Sequence, residues 1–178
     1  MQCPMKRCLA AAVLIAAASG AQAVDSFTLE VGGGKDVLHA RAGATWQWNV
    51  RWLPLGHWHL TGYWEANAGA WEVDGPGGRR VYEAGFTPVF RLRPNAIGGT
   101  QPYWEAALGL RLVSRTRLND RIDLGDNLLL SEHLGFGVTF GEKTRYDLGY
   151  RLQHTSNAGL RDGGDGVTLH QLRLSYLY

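Results

Sequence analysis

The sequence predicts an all-β protein, an eight-stranded antiparallel transmembrane β-barrel with a side-chain-filled interior. The first observation is composition, because 24 Gly, seven Trp and seven Tyr are typical of strands separated by turns. The second is an alternation of apolar and polar residues in the C-terminal half. The third is that the chain after its leader has no run of about 18 apolar residues, so a membrane could be crossed only by strands.

The N-terminal segment is predicted to be an export signal. Lys6 and Arg7 precede an apolar stretch that is too short to span a bilayer and ends near Ala17. Ala21-Gln22-Ala23 then has the small-x-small pattern of a signal-peptidase site. We therefore expect a signal peptide over 1–23 and one β-barrel domain over 24–178.

Cysteine content and charge exclude several functional classes. Both cysteines, Cys3 and Cys8, lie in the predicted signal peptide, so disulfides, thiolate catalysis and cysteine metal sites are not expected in the mature chain. Without Lys6 and Arg7, 16 basic residues balance 16 acidic ones. This balance is unlike the basic excess of a nucleic-acid-binding protein.

The last predicted strand, 168–178, has the clearest alternation of period two. Its predicted lipid-facing residues are Thr168, His170, Leu172, Leu174, Tyr176 and Tyr178. Its predicted interior residues are Leu169, Gln171, Arg173, Ser175 and Leu177. The terminal Tyr178 resembles the C-terminal signature of bacterial outer-membrane barrels, although the edge strand of a sandwich could also end this way.

Seven further strands are predicted upstream. Residues 145–156 place Tyr146, Leu148 and Tyr150 on one face and charged residues on the other, as expected for a lipid-out, polar-in wall. A strand over 126–140 has an outer face of Leu and Phe. The remaining candidates cover 25–33, 36–53, 57–74, 80–93 and 100–114.

Loop lengths give the orientation of the predicted barrel. Eight strands place both termini on the periplasmic side, where the turn Gly141-Glu142-Lys143 is short. The longer connections Asp74–Arg80, Arg115–Gly125 and Asn157–Gly166 then lie outside. A barrel of this size is filled by side chains and is not expected to be a general pore.

The end of the penultimate strand carries the candidate chemistry. His154 and Ser156 are two residues apart, so both project from the lipid-facing side, and an imidazole beside a hydroxyl is the arrangement of an activated serine. Asn157 and Gly159 follow as an amide donor and a flexible backbone amide for an oxyanion. Alternatively, the two are polar residues at the rim where the strand leaves the membrane.

The run His154-Thr-Ser156-Asn157-Ala-Gly159, with a short Gly/Asp loop and one final strand, resembles the PagL family of lipid A 3-O-deacylases. Leu60-Thr-Gly-Tyr-Trp64-Glu and Pro88-Val-Phe90 are similar to other segments of that family. The resemblance implies an outer-membrane hydrolase of the ester-linked 3-hydroxyacyl chain at position 3 of lipid A. It assigns His154 as general base, Ser156 as nucleophile, and Asn157 and Gly159 as the oxyanion hole. It implies lipid A in the outer leaflet as substrate and no cofactor, and it permits a homodimer.

One position departs from the family pattern, in which an acid lies twelve residues after the serine. Here that position is Thr168, which can accept a hydrogen bond from His154 but carries no charge. Glu132 on the neighbouring strand, or Asp162 or Asp165 in the following loop, could supply the acid instead.

The other polar residues have simpler interpretations. His57 and His59 are expected at the periplasmic rim rather than in a metal site, and His133 should face a buried carboxylate. Gly32–Lys35 is not expected to bind phosphate as a P-loop. An internal polar network is predicted from Arg41, Glu65, Glu105, Arg111, Asp147 and Arg173. Six arginines are expected in the outer loops, where they are either solvated or bind lipid A phosphates. They are Arg79, Arg80, Arg115, Arg117, Arg121 and Arg161.

Two other functions remain open at the level of sequence. A non-enzymatic structural or adhesive barrel would bind a surface partner through its outer loops. A periplasmic lipid-binding sandwich would share the alternating strands but would not stay in the membrane.

Overall fold

A computed structural model describes residues 23–95, 99–159 and 164–178. The predicted signal peptide, apart from Ala23, therefore falls outside the described residues, as do Arg161 and Asp162. The strands are β1 Ser26–Gly34, β2 Val37–Gln47, β3 Trp52–Leu55, β4 Trp58–Val73, β5 Arg80–Pro94, β6 Gln101–Val113, β7 Leu128–Phe140, β8 Tyr146–Ser156 and β9 Val167–Leu177. Within these ranges no helix has the length and apolarity needed to span a bilayer.

Eight of these strands close into an antiparallel barrel, as the sequence predicts. Each long strand pairs with the long strands before and after it in the chain, and β1 pairs with β9. β2 pairs directly with β4, because the short β3 does not lie between them. β3 adds only a small extension beside the first residues of β4.

The predicted strand over 36–53 is wrong in its extent, because it breaks after Gln47. The Trp48 amide still donates to the Gly62 carbonyl (2.8 Å), but its ring covers Gly62 on the outer face. A Cβ at Gly62 would lie 2.3 Å from that ring, so the local register changes and β3 resumes at Trp52.

The two sides of the wall are as different as the alternation predicts. On β9 and β8 the odd-numbered residues Asp147 to Ser175 face inward and are buried, whereas the even-numbered Leu, Tyr and His residues face outward. Among the described residues the buried interior holds five arginines and five carboxylates: Arg41, Arg91, Arg111, Arg151, Arg173, Glu30, Glu65, Glu83, Glu105 and Asp147. The predicted network is confirmed and extended by four members.

The outer mouth of the barrel is closed by an apolar plug that the sequence did not predict. Inward-facing residues at the outer strand ends pack against Leu118 and Leu124 of the β6–β7 loop, both fully buried. Asn119 holds this loop, accepting from the Arg121 and Ile122 amides (2.8 Å each) and donating to Asp74 O (3.0 Å). The loop therefore seals the interior from the outside.

Candidate active site

His154 and Ser156 lie on the outer side of the wall near the outer end of β8. Both are half-buried. Gln153, which precedes His154, and Thr155, which lies between the two, are buried in the interior. His154 is in register with Glu132 on β7 and Thr168 on β9. Its two cross-strand neighbours are thus two of the four residues that the sequence analysis considered for the third position.

Thr168 contacts the imidazole directly. His154 Nδ1 and Thr168 Oγ1 are 3.0 Å apart, so the threonine hydroxyl binds the nitrogen that a triad acid would bind. The ring also packs on Gly166, where an added Cβ would lie 2.3 Å from His154 Cε1. Glycine at 166 is therefore required for this position of the ring.

The serine hydroxyl has a different partner. Ser156 Oγ accepts a hydrogen bond from the Ala158 amide (3.3 Å). Neither this bond nor the one to Thr168 joins His154 to Ser156. Catalytic hydrogen bonds in enzymes without substrate are often long or misaligned.

The turn after Ser156 brings the two expected oxyanion groups together. Ala158 and Gly159 both have positive φ, 52° and 71°, and the Gly159 amide donates to Asn157 Oδ1 (3.0 Å). Asn157 is buried, and a Cβ at Gly164 would lie 2.4 Å from its Nδ2. The side chain of Asn157 therefore points toward Gly164.

The alternative acids occupy separate places. Glu132 is exposed on the outer wall opposite His154. Asp165 Oδ2 accepts from the Asp123 amide (2.9 Å), and the Asp165 amide donates to Asp123 O (2.7 Å). Asp165 thus ties the β8–β9 loop to the β6–β7 loop.

Two surface depressions meet at Thr168. A mainly apolar groove of about 640 Å³ is lined by His154, Glu132 and residues of β5–β7. A crevice of about 900 Å³ with charged side chains in its lining lies on the other side of Thr168 and includes Lys35, Arg121 and His170. The sequence analysis missed both, because each depends on which strands are neighbours.

Two other histidines lie beside polar side chains of the barrel. His59 Nδ1 is 2.7 Å from Asn95 Oδ1, and His133 Nε2 is 3.6 Å from Glu105 Oε1, as predicted. Within the described ranges no group of three or more His, Cys, Asp or Glu residues could hold a metal ion.

Comparison with known proteins identifies the family. The family described as Lipid A 3-O-deacylase (PagL) matches residues 38–177. The chain belongs to the PagL family. Over 172 residues it is 34% identical to Lipid A deacylase PagL of Pseudomonas aeruginosa, covering 94% of this chain and 96% of that protein. It is 31% identical to Lipid A deacylase PagL of Bordetella bronchiseptica, covering 64% of this chain and 61% of that one.

The fold comparison agrees with the family. A crystal structure of the outer membrane enzyme PagL superposes with a TM-score of 0.76 at 30% identity, covering 86% of this chain and 99% of that one. This PagL-family chain is thus an outer-membrane β-barrel.

Proposed function

We propose that this chain is a lipid A 3-O-deacylase that removes the 3-hydroxyacyl chain from position 3 by serine catalysis on its lipid-facing wall. The observation that carries the proposal is the placement of His154. Its Nδ1 is held by Thr168, which leaves Nε2 available on the same face as Ser156. Membership of the PagL family supports the same substrate class.

The reaction follows the general scheme of a serine hydrolase. His154 Nε2 takes the proton of Ser156 Oγ as Oγ bonds to the ester carbonyl carbon. The tetrahedral intermediate collapses, the bond between the acyl carbon and the sugar oxygen breaks, and the His154 imidazolium protonates that oxygen to give the sugar hydroxyl. Water then attacks the acyl-serine with His154 as base, which releases a 3-hydroxy fatty acid and restores Ser156.

Asn157 and Gly159 are proposed to stabilise the oxyanion. Because the Gly159 amide is bonded to Asn157 Oδ1 in the described conformation, this bond must break when substrate binds. The positive φ of Gly159 costs little for glycine, so the turn can present its amide to the substrate. Rotation of Asn157 would present Nδ2 in the same movement.

The two depressions match the two parts of the substrate. The apolar groove beside His154 suits an acyl chain, and the crevice across Thr168 suits a phosphorylated sugar. Lys35 and Arg121 supply cations there, and Asp36 and Asp165 place two carboxylates in the same crevice. A substrate that spans both depressions passes over Thr168, the cross-strand neighbour of His154.

The test is the mass of lipid A from cells that express the chain. Wild type should remove one 3-hydroxyacyl chain, and Ser156→Ala should leave lipid A intact. The matched control is Ser131→Ala, because Ser131 lies at similar depth on β7 but faces the interior. It should retain activity. Intact lipid A with folded wild-type barrel would instead favour a non-enzymatic barrel.

A further inference from the structure

Residues 164–166, at the end of the β8–β9 loop, lie between the candidate site and the β6–β7 loop. On the side of the site, a Cβ at Gly164 would lie 2.4 Å from Asn157 Nδ2, and a Cβ at Gly166 would lie 2.3 Å from His154 Cε1. Both side chains therefore pack directly against the backbone of this short stretch. We call it the flanking segment, because it borders two of the groups assigned to the reaction.

The other side of the flanking segment contacts the β6–β7 loop. A Cβ at Gly164 would also lie 2.9 Å from Leu124 O. Asp165 forms two hydrogen bonds with Asp123: its Oδ2 accepts from the Asp123 amide (2.9 Å), and its own amide donates to Asp123 O (2.7 Å). The flanking segment is thus attached to the loop through its backbone and through the Asp165 side chain.

The β6–β7 loop is a firm support for these bonds, because it is itself anchored at the outer mouth of the barrel. Leu124 is fully buried in the apolar plug, and its amide donates to Thr116 O (2.9 Å). Asp123 Oδ1 accepts from the Gly125 amide (3.0 Å). A neighbouring layer that is locked by packing and hydrogen bonds can hold a functional group in place. Asp123 therefore offers its amide and carbonyl to Asp165 from a fixed position.

The flanking segment needs such a support, because strand pairing does not reach it. The pairing of β8 with β9 starts at Val167, which lies opposite Thr155. Gly164 and Gly166 stand on either side of Asp165, and glycine loses more conformational freedom on ordering than any other residue. The bonds of Asp165 are therefore well placed to decide which backbone conformation this segment adopts.

We propose that Asp165 is a positioning residue for the reaction, whose carboxylate holds the flanking segment against His154 and Asn157; the inference rests on the proposed function. In this role the carboxylate is a hydrogen-bond acceptor and not the acid of a triad. Its Oδ2 accepts from the Asp123 amide. The imidazole nitrogen that an acid would bind lies instead 3.0 Å from Thr168 Oγ1.

Loss of the Asp165 carboxylate releases the flanking segment at both of its contacts with the site. Movement of Gly166 removes the surface on which the imidazole rests, and movement of Gly164 removes the one beside the Asn157 amide. A misplacement of ~1 Å can lower a rate by about 10²-fold. Because the general base and an oxyanion donor act in the transition state, the loss should appear in kcat more than in KM.

The test measures kcat and KM of purified, refolded barrel on lipid A, with rates normalised to the folded fraction. Asp165→Ala removes the charge and the acceptor, whereas Asp165→Asn removes only the charge, because an amide oxygen can accept the same bond. Asp165 is exposed, so neither change opens the core. The matched control is Asp120→Ala, which removes an exposed carboxylate from the β6–β7 loop. A second measurement needs no substrate: the NMR signal of His154 Cε1–H in micelles, assigned by its loss in His154→Ala, reports the contact with Gly166.

We expect Asp165→Ala to lower kcat by about tenfold or more with KM near that of wild type, and to shift or broaden the His154 signal. Asp165→Asn and Asp120→Ala should match wild type in both measurements. The inference is overturned if Asp165→Ala keeps the wild-type kcat or an unmoved His154 signal, or if Asp165→Asn or Asp120→Ala is as slow as Asp165→Ala. Wild type that hydrolyses no lipid A overturns the proposed function instead, and the His154 signal still tests whether Asp165 holds the ring.

Discussion

Arg151 is the side chain on which the charge balance of the barrel interior depends most. It is fully buried and contacts three carboxylates: its Nε is 2.6 Å from Glu105 Oε1, its Nη2 is 3.0 Å from Glu65 Oε2, and it also bonds Glu30. Arg151→Leu removes these contacts and leaves five carboxylates facing four arginines. Removing one partner of a buried ion pair costs about 3–5 kcal/mol, so we expect a loss of that size in the free energy of unfolding.

The assay is urea unfolding in detergent micelles, followed by the gel mobility that distinguishes folded from unfolded barrel. Arg80→Leu is the control, because Arg80 pairs with Glu72 but their side chains are 60% and 54% exposed. It should leave the unfolding midpoint near that of wild type. A second variant, Arg151→Leu with Glu65→Gln, restores neutrality and should recover part of the loss. The reasoning is refuted if Arg151→Leu unfolds like wild type, or if the double variant is no more stable than the single one.

Three further predictions concern the site, the wall and the loop. Thr168→Val should lower kcat by about tenfold or more by releasing the imidazole, whereas Thr168→Glu should raise it by stabilising the imidazolium; equal rates for all three proteins would exclude a role for Thr168. Gly137→Val should destabilise the barrel by about 1–3 kcal/mol, because a Cβ there would lie 2.3 Å from Tyr103 Oη; an unchanged urea midpoint would contradict this. Asn119→Ala should expose the β6–β7 loop to trypsin on intact cells while the barrel stays folded; a loop as resistant as wild type would show that Asn119 does not hold it.

Alternation predicted the two faces of the wall because a residue's parity in a strand decides its side. That was enough to place His154 and Ser156 outside, and Arg151 and Asp147 inside. It was not enough to find the break at Trp48, which arises from contact between an aromatic ring and a distant glycine. The plug was missed because Leu118 and Leu124 lie in a loop, where apolar and polar residues do not alternate regularly.

The candidate site was predicted only in part, because residue spacing gives the face of a strand but not its neighbours. Spacing alone puts His154 and Ser156 on one face, but their neighbours depend on the register of three strands. The register places both Thr168 and Glu132 beside His154, and the hydrogen bond to His154 Nδ1 comes from Thr168. The bond between Gly159 and Asn157 depends on two consecutive positive φ angles, which the sequence Asn157-Ala158-Gly159 permits but does not require.

The most direct measurement of the central claim is the site at which a lipophilic fluorophosphonate reacts in outer-membrane vesicles. Such a reagent forms a stable bond with a serine only when a base activates its hydroxyl. Peptide mass spectrometry should find the adduct on Ser156 in wild type and none in His154→Ala. An adduct on another serine, or an equal yield without His154, would contradict the account.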